Sequence, residues 1–330
     1  MTLSRRQMLC HTAGSLLAPA LASTSPARAP AGEAVAQLPI VDTHQHLWDL
    51  EKVNPPWLKG ASDTLRRRYT NAEYAVATRG LNVVKAVYME VDVASDQHVA
   101  EAEHVIEICR SKQYPTVAAV IGGRPAAEGF DRYIARFRGN PYVKGVREVL
   151  HRAEAQAGYC LEPVYVRGIR LLGEAGLSFD LCMRAAELRD GIQLADRCPG
   201  TRFIVDHCGN ADPQAFRKSS GNAQPSHDPK AWKRDMEQLA KRQTVICKIS
   251  GIVARVPKNW TADDLAPIVN HCLDVFGPDR VVFGGDWPVC LMGASFQAWV
   301  QALRQIIASR PETEQRKLLH DNAVKFYGLV

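Results

Sequence analysis

His44-Gln45-His46 is the first place in this 330-residue chain where residue types and spacing could do chemistry. Side chains of an extended strand alternate with period two, so both imidazoles can point to one side. Two neutral imidazoles side by side can chelate a divalent metal; protonated, they can bind an anion. Other ionisable and polar residues stand at the ends of short apolar runs: Asp42, Glu90, Arg124, Arg147, Glu148, Asp180, His207, Lys248, Ser250 and Asp286. Packing alone does not explain so many such groups in equivalent places. Asp286 follows Val281-Val282-Phe283-Gly284-Gly285 and precedes Trp287-Pro288. A carboxylate emerging from an apolar strand needs a partner, because burying it unpaired is costly. The histidines of the first and sixth runs are the nearest candidates. Asp286 can ligate a metal, accept a proton from water, or do both.

These residues need elements to hold them. From residue 38 onward, β-branched runs alternate with amphipathic stretches. The strand-like runs are Ile40–His44, Val83–Val91, Val117–Ile121, Val143–Leu150, Leu177–Met183, Arg202–His207, Thr244–Ser250 and Arg280–Gly284. Several are almost continuously apolar, as strands buried on both faces of a parallel sheet should be. Between them, Ser95–Arg110, Pro229–Lys241 and Asp263–Phe276 carry one apolar face at helical spacing, and Ala298–Ile307 and Glu312–Phe326 read as closing helices. Eight such units predict a single-domain (β/α)8 TIM barrel over 38–330, with its chemistry at the C-terminal ends of the strands. An open doubly wound sheet would call for a glycine-rich turn after the first strand. Here that strand ends in Thr-His-Gln-His, and no phosphate-binding Gly-Lys-Ser/Thr loop occurs. Two long segments, Asp49–Asn71 and Asn210–Asp228, are expected to lie as loops over the site.

Residues 1–29 read differently. Ser4-Arg5-Arg6-Gln7-Met8-Leu9 precedes a short apolar stretch, Leu16 to Ala22, and the first acid is Glu33. This pattern predicts a twin-arginine export leader, cut after Ala22, with the export machinery as partner and a periplasmic or secreted destination. The stretch is too short to span a bilayer, and Cys10 lies before it without a lipid-attachment motif, so no stable membrane anchor is expected. Forty-one basic against 35 acidic residues give a formal charge of +6, too mild and dispersed to argue for nucleic acid. The eight later cysteines are irregularly spaced, and three of them lie inside apolar runs, where a thiol acts as a small hydrophobe. Neither a disulfide framework nor a thiolate zinc site is expected.

Six blocks then stand in order: Val41-Asp42-Thr43-His44-Gln45-His46-Leu47-Trp48-Asp49, Val143-Lys144-Gly145-Val146-Arg147, Leu177-Ser178-Phe179-Asp180-Leu181-Cys182, Val205-Asp206-His207-Cys208-Gly209, Lys248-Ile249-Ser250-Gly251 and Phe283-Gly284-Gly285-Asp286-Trp287-Pro288. Together they resemble the amidohydrolase superfamily, and within it the sugar-lactonase-like branch, across the whole chain after the leader. The resemblance implies a hydrolase of carboxylic ester bonds, acting on a small polar or anionic lactone. It carries His44 and His46 over as the strand-one pair, His207 as the strand-six histidine and Asp286 as the strand-eight aspartate. The strand-five histidine of two-metal members is absent, with Asp180 in that run, and no strand-four lysine is placed to bridge two metals. One divalent metal, such as zinc, is therefore expected, on His44, His46, Glu148, His207 and Asp286; a metal-free route stays open.

The catalytic residues expected are Asp286, to take a proton from water, with His44, His46 and His207 polarising the carbonyl directly or through a metal. Arg147 suits a substrate carboxylate through its forked donors. Trp48 and Trp287 are expected to wall the pocket and stack on a ring, and Lys248 to hydrogen-bond there. The same barrel could decarboxylate or isomerise a related substrate, since fold does not fix chemistry. A non-enzymatic ligand-binding role is the reading from another class, and it leaves the clustered histidines and aspartate without a purpose.

Overall fold

The computed structural model describes residues 37–53, 55–152, 155–217 and 224–330; the expected leader lies outside them. Eight strands follow in chain order: β1 (Ile40–Gln45), β2 (Val83–Met89), β3 (Thr116–Gly122), β4 (Val143–Val149), β5 (Ser178–Cys182), β6 (Arg202–Val205), β7 (Val245–Ile249) and β8 (Val281–Phe283). Each strand pairs in parallel with the next. Gln45 bridges Trp287 in parallel, and the His46 N–H donates to the Trp287 carbonyl at 2.8 Å, bringing the eighth strand back to the first. The result is the (β/α)8 barrel that the eight apolar runs predict, with shifts only at strand ends.

Strand parity sorts the side chains into two layers. Ile40, Tyr88, Ile121, Val146, Phe179, Phe203, Cys247 and Phe283 belong to the large core shared with the surrounding helices. Val41, Val87, Val120, Ile204, Ile246 and Val282 form a separate cluster with Tyr327 and Leu329, from the end of the chain. This second cluster is the apolar floor of the barrel, and Asp206 and Lys248, of the same parity as Ile204 and Ile246, stand above it.

The helices His98–Ser111, Pro229–Ala240, Ala262–Phe276 and Phe296–Ile307 occupy the predicted stretches. Their starts are chemically set. Asp228 accepts from the Lys230 N–H ahead of Pro229, and Thr261 forms a capping box with Asp264. The last predicted helix is interrupted by a wider π-type turn at Lys317–Asp321, which keeps both Leu318 and Leu319 buried. All eight cysteines among the described residues are buried and free. No helix among those residues is long and apolar enough to cross a membrane.

Both long loops contribute to the barrel mouth, but unequally. Trp48 and Tyr69 exchange backbone hydrogen bonds at 2.8 Å, closing the first loop at its base. A short helical turn, Pro56–Gly60, then carries Trp57 to the mouth, where its indole N–H donates to the Val91 carbonyl at 2.8 Å. Of the described residues in the second loop, only Asn210 reaches the cavity.

Candidate active site

The site begins with Asp42, which works as a strut. One of its carboxylate oxygens accepts from the His44 N–H (3.0 Å) and the Gly285 N–H (2.7 Å), and the other from the Tyr74 hydroxyl (2.7 Å). It thereby ties the end of β1 to the end of β8. A register shift in the β1–β2 pairing falls between Asp42 and Gln45. Above it, His44 Nε2 lies 3.6 Å and His46 Nε2 3.4 Å from the same oxygen, Oδ1 of Asp286. His46 Nδ1 is 3.0 Å from the Met89 carbonyl. A carbonyl only accepts, so Nδ1 carries a proton there.

His207 and Asp286 each follow their strand with a backbone φ of 54°, a region that costs energy for residues with a side chain and clusters at functional sites. The turns aim both side chains back over the barrel. The His207 ring centre lies 4.5 Å from that of His44, and its Nδ1 sits 3.0 Å from Ser250 Oγ. Burial, with the nearby Lys248 ammonium, keeps His44 neutral well below its ordinary pKa, and burial lowers His207 too. Burial opposes ionisation of Asp286, but the three surrounding imidazoles outweigh it and hold its pKa below the usual carboxylate range. Burial thus favours neutral rings at His44 and His207 beside an ionised Asp286.

His44, His46 and Asp286 bring one donor atom each within 4.8 Å of one another, all buried. Two imidazole nitrogens and a carboxylate oxygen, with the second ring nitrogen of His46 pinned by a carbonyl, are a donor set that suits zinc. A second group of possible ligands, His44, Asp206 and His207, lies alongside.

Arg147 closes one side. Its Nε donates to Glu90 Oε1 at 2.6 Å, its Nη2 to the Glu90 carbonyl at 2.8 Å, and its Nη1 to His44 Nε2 at 3.2 Å. His46, Arg147, His207 and Asp286 all face one cavity of about 380 Å³, a size suited to a small organic ligand. Trp57, Val91, Val149 and Val289 supply apolar walls; Arg152, Asn210 and Arg255 supply polar ones.

Four sequence expectations fall elsewhere. Glu148 is not with the donor group. It neighbours Arg147 on β4, so it points outward, where Oε1 accepts from Arg152 at 2.6 Å and lies 3.6 Å from Arg124. Trp48 and Trp287 are buried and do not line the cavity. Trp48 donates to the Arg67 carbonyl, and Trp287 packs edge-on against Tyr69 and Tyr74. Lys248 lies below the cavity, 2.7 Å from Asp180 and 2.9 Å from Asp206. Trp57, Asn210 and Arg255 were not anticipated, because each reaches the mouth from a loop or turn with no periodicity to mark it. Asp206 had a signal: it precedes His207 in a strand-end block.

The profile of the family described as Amidohydrolase matches residues 41–329. An uncharacterised protein, y4mH, of Sinorhizobium fredii is 27% identical over 311 residues, covering 89% of this chain and 99% of its own length. An L-fucono-1,5-lactonase of Burkholderia multivorans is 26% identical over 297 residues, covering 88% and 96%. Among solved structures, an amidohydrolase from Burkholderia multivorans with bound zinc superposes with a TM-score of 0.75 at 23% identity, covering 88% of this chain and all of that one.

Proposed function

The chain belongs to the amidohydrolase family, and from that premise we propose that it opens small polar or anionic lactones by attack of water at the barrel mouth. The observation that carries this reading is the convergence of His44, His46 and Asp286, of which His46 and Asp286 face a cavity together with Arg147. The similarity to an L-fucono-1,5-lactonase supports lactone opening.

In this mechanism Asp286 accepts a proton as a water oxygen bonds to the ring carbonyl carbon. Negative charge gathers on the carbonyl oxygen, next to the Arg147 guanidinium. The tetrahedral species collapses, the ring carbon–oxygen bond breaks, and the leaving oxygen takes the proton back from Asp286. His207, tethered through Nδ1 to Ser250, faces the same cavity as Asp286 and borders the reacting centre. His44, His46 and Asp286 are the residues that would hold a divalent metal such as zinc, as the zinc-bound relative supports. When bound, a metal there supplies Lewis acidity toward the carbonyl and makes water more acidic.

The test is a panel of sugar-acid lactones and muconolactones read by acid release, beside assays for carbon dioxide and for isomerised product. Acid release from a lactone, reduced at least about 100-fold in a normally folded Asp286→Asn variant, is expected. Near wild-type turnover in that variant overturns the role of Asp286. Carbon dioxide or isomer without acid release overturns hydrolysis.

A further inference from the structure

Beneath the donor group, Lys248 Nζ sits 2.7 Å from Asp180 Oδ2 and 2.9 Å from Asp206 Oδ1, and all three side chains are fully buried. Asp206 is one of the residues that could ligate a metal with His44 and His207. Its charge, however, is already met by a fixed ammonium. Burial disfavours the charged lysine, but the two aspartates more than compensate and keep it cationic.

On its other side Asp206 faces His44. Nδ1 of His44 has no hydrogen-bond partner and lies 3.6 Å from Asp206 Oδ1, the oxygen that Lys248 also approaches, while Arg147 Nη1 stands 3.7 Å from Asp206 Oδ2. The tautomer of His44 follows from its opposite nitrogen. Arg147 has only donors, so its 3.2 Å contact requires a lone pair on His44 Nε2. The proton is then on Nδ1, aimed at Asp206. Metal-ligating histidines offer their far N–H to a carboxylate, a carbonyl or water, which fixes ring and tautomer.

We propose that Asp206 is the positioning residue of the site, orienting His44 through Nδ1, and that Lys248, anchored by Asp180, is the internal cation that holds Asp206 there. The inference rests on His44 being a functional ligand, but not on which substrate is opened. Asp206 then belongs to the supporting layer, and the second group of possible ligands is not a second metal site.

Two measurements on the full chain test it, and neither needs a substrate. In metal-stripped, 15N-histidine-labelled protein, with signals assigned by comparison with His44→Gln, His44 is expected as the Nδ1–H tautomer. An Nε2–H tautomer overturns the proposal, and this readout stands even if a variant fails to fold. Zinc affinity, by competition with a chromophoric chelator, is expected to fall about 10–100-fold in Asp206→Asn with melting held near wild type. Asp180→Asn, which touches Lys248 but not His44, is expected to change it much less. Equal losses in both variants would mean that charge balance alone matters, and an Asp206→Asn affinity within about twofold of wild type would mean a purely structural aspartate; either overturns the proposal. Wild type that binds no zinc refutes the metal reading of the trio, while the tautomer still decides the role of Asp206.

Discussion

Trp57 is an aromatic wall of the cavity that a loop supplies. Its indole N–H is tied to the Val91 carbonyl, its ring meets Trp48 edge-on at 5.7 Å, and its exposed face lines the space above Asp286. A rigid aromatic wall of this kind binds ground state and transition state alike. Trp57→Ala is therefore expected to raise KM about tenfold, roughly 1.4 kcal/mol, with little change in kcat. Trp287→Phe, packed between Tyr69 and Tyr74, should lower melting temperature and leave KM in place. Steady-state kinetics beside thermal melts separate the two, and a Trp57→Ala variant with unchanged KM refutes the assignment. The contrast shows what single residues disclose in a sequence. Arg147 and Glu148 both stand at the end of an apolar run, but parity allows only one to face inward. That signal was available in the alternation with Val146, which packs in the core shared with the helices and so leaves Arg147 to the inside. No comparable rule places Trp57, since its position depends on how a loop folds back.

The strand-end turns are the elements that convert a barrel into a site. After β6, four consecutive residues, His207, Cys208, Gly209 and Asn210, have positive φ, and after β8 Asp286 does. After β7, Gly251 has φ +70°, and a Cβ there would stand 2.2 Å from His207 Nδ1. The β6 turn can place its histidine only because the β7 turn has no side chain. Gly251→Ala is expected to cost about 1–2 kcal/mol in backbone strain and to displace His207, lowering kcat/KM at least about tenfold. Gly139→Ala, at φ +76° with nothing within 4 Å, carries the backbone cost without the clash and should leave kcat/KM unchanged. Chemical denaturation and kinetics on both variants check this, and equal activity in the two overturns the steric argument. The strands themselves were legible because parallel strands buried on both faces read as continuous apolar runs. The turns were not, because Gly209 and Asn210 favour a left-handed backbone one residue at a time, and no local signal marks a run of four.

At the scale of the whole molecule, the barrel buries an unusual density of charge: Glu90, Glu101, Arg147, Asp180, Asp206 and Lys248 are all at most 4% exposed. Most are matched by an opposite charge. Such pairs fix geometry more than they add stability, because desolvation offsets their attraction. Glu101 is the exception. Its Oε1 accepts from the Tyr88 hydroxyl and the Val91 N–H, both at 2.8 Å, but its Oε2 has no partner. Burial, with the Glu90 carboxylate nearby, pushes its pKa from 4.5 up to about 8. The folded protein therefore holds a proton that the unfolded chain releases. Glu101 contributes stability that is fully present below about pH 4.5 and is lost as pH rises through about 8. Between those limits the loss approaches about 1.4 kcal/mol per pH unit. Glu101→Gln keeps a neutral group of the same shape and should remove that slope. Urea unfolding of both proteins from pH 5 to pH 8 is expected to show the variant gaining on wild type throughout. Parallel stability curves would mean that Glu101 is already ionised in the fold, which would require a cation at its unpartnered oxygen.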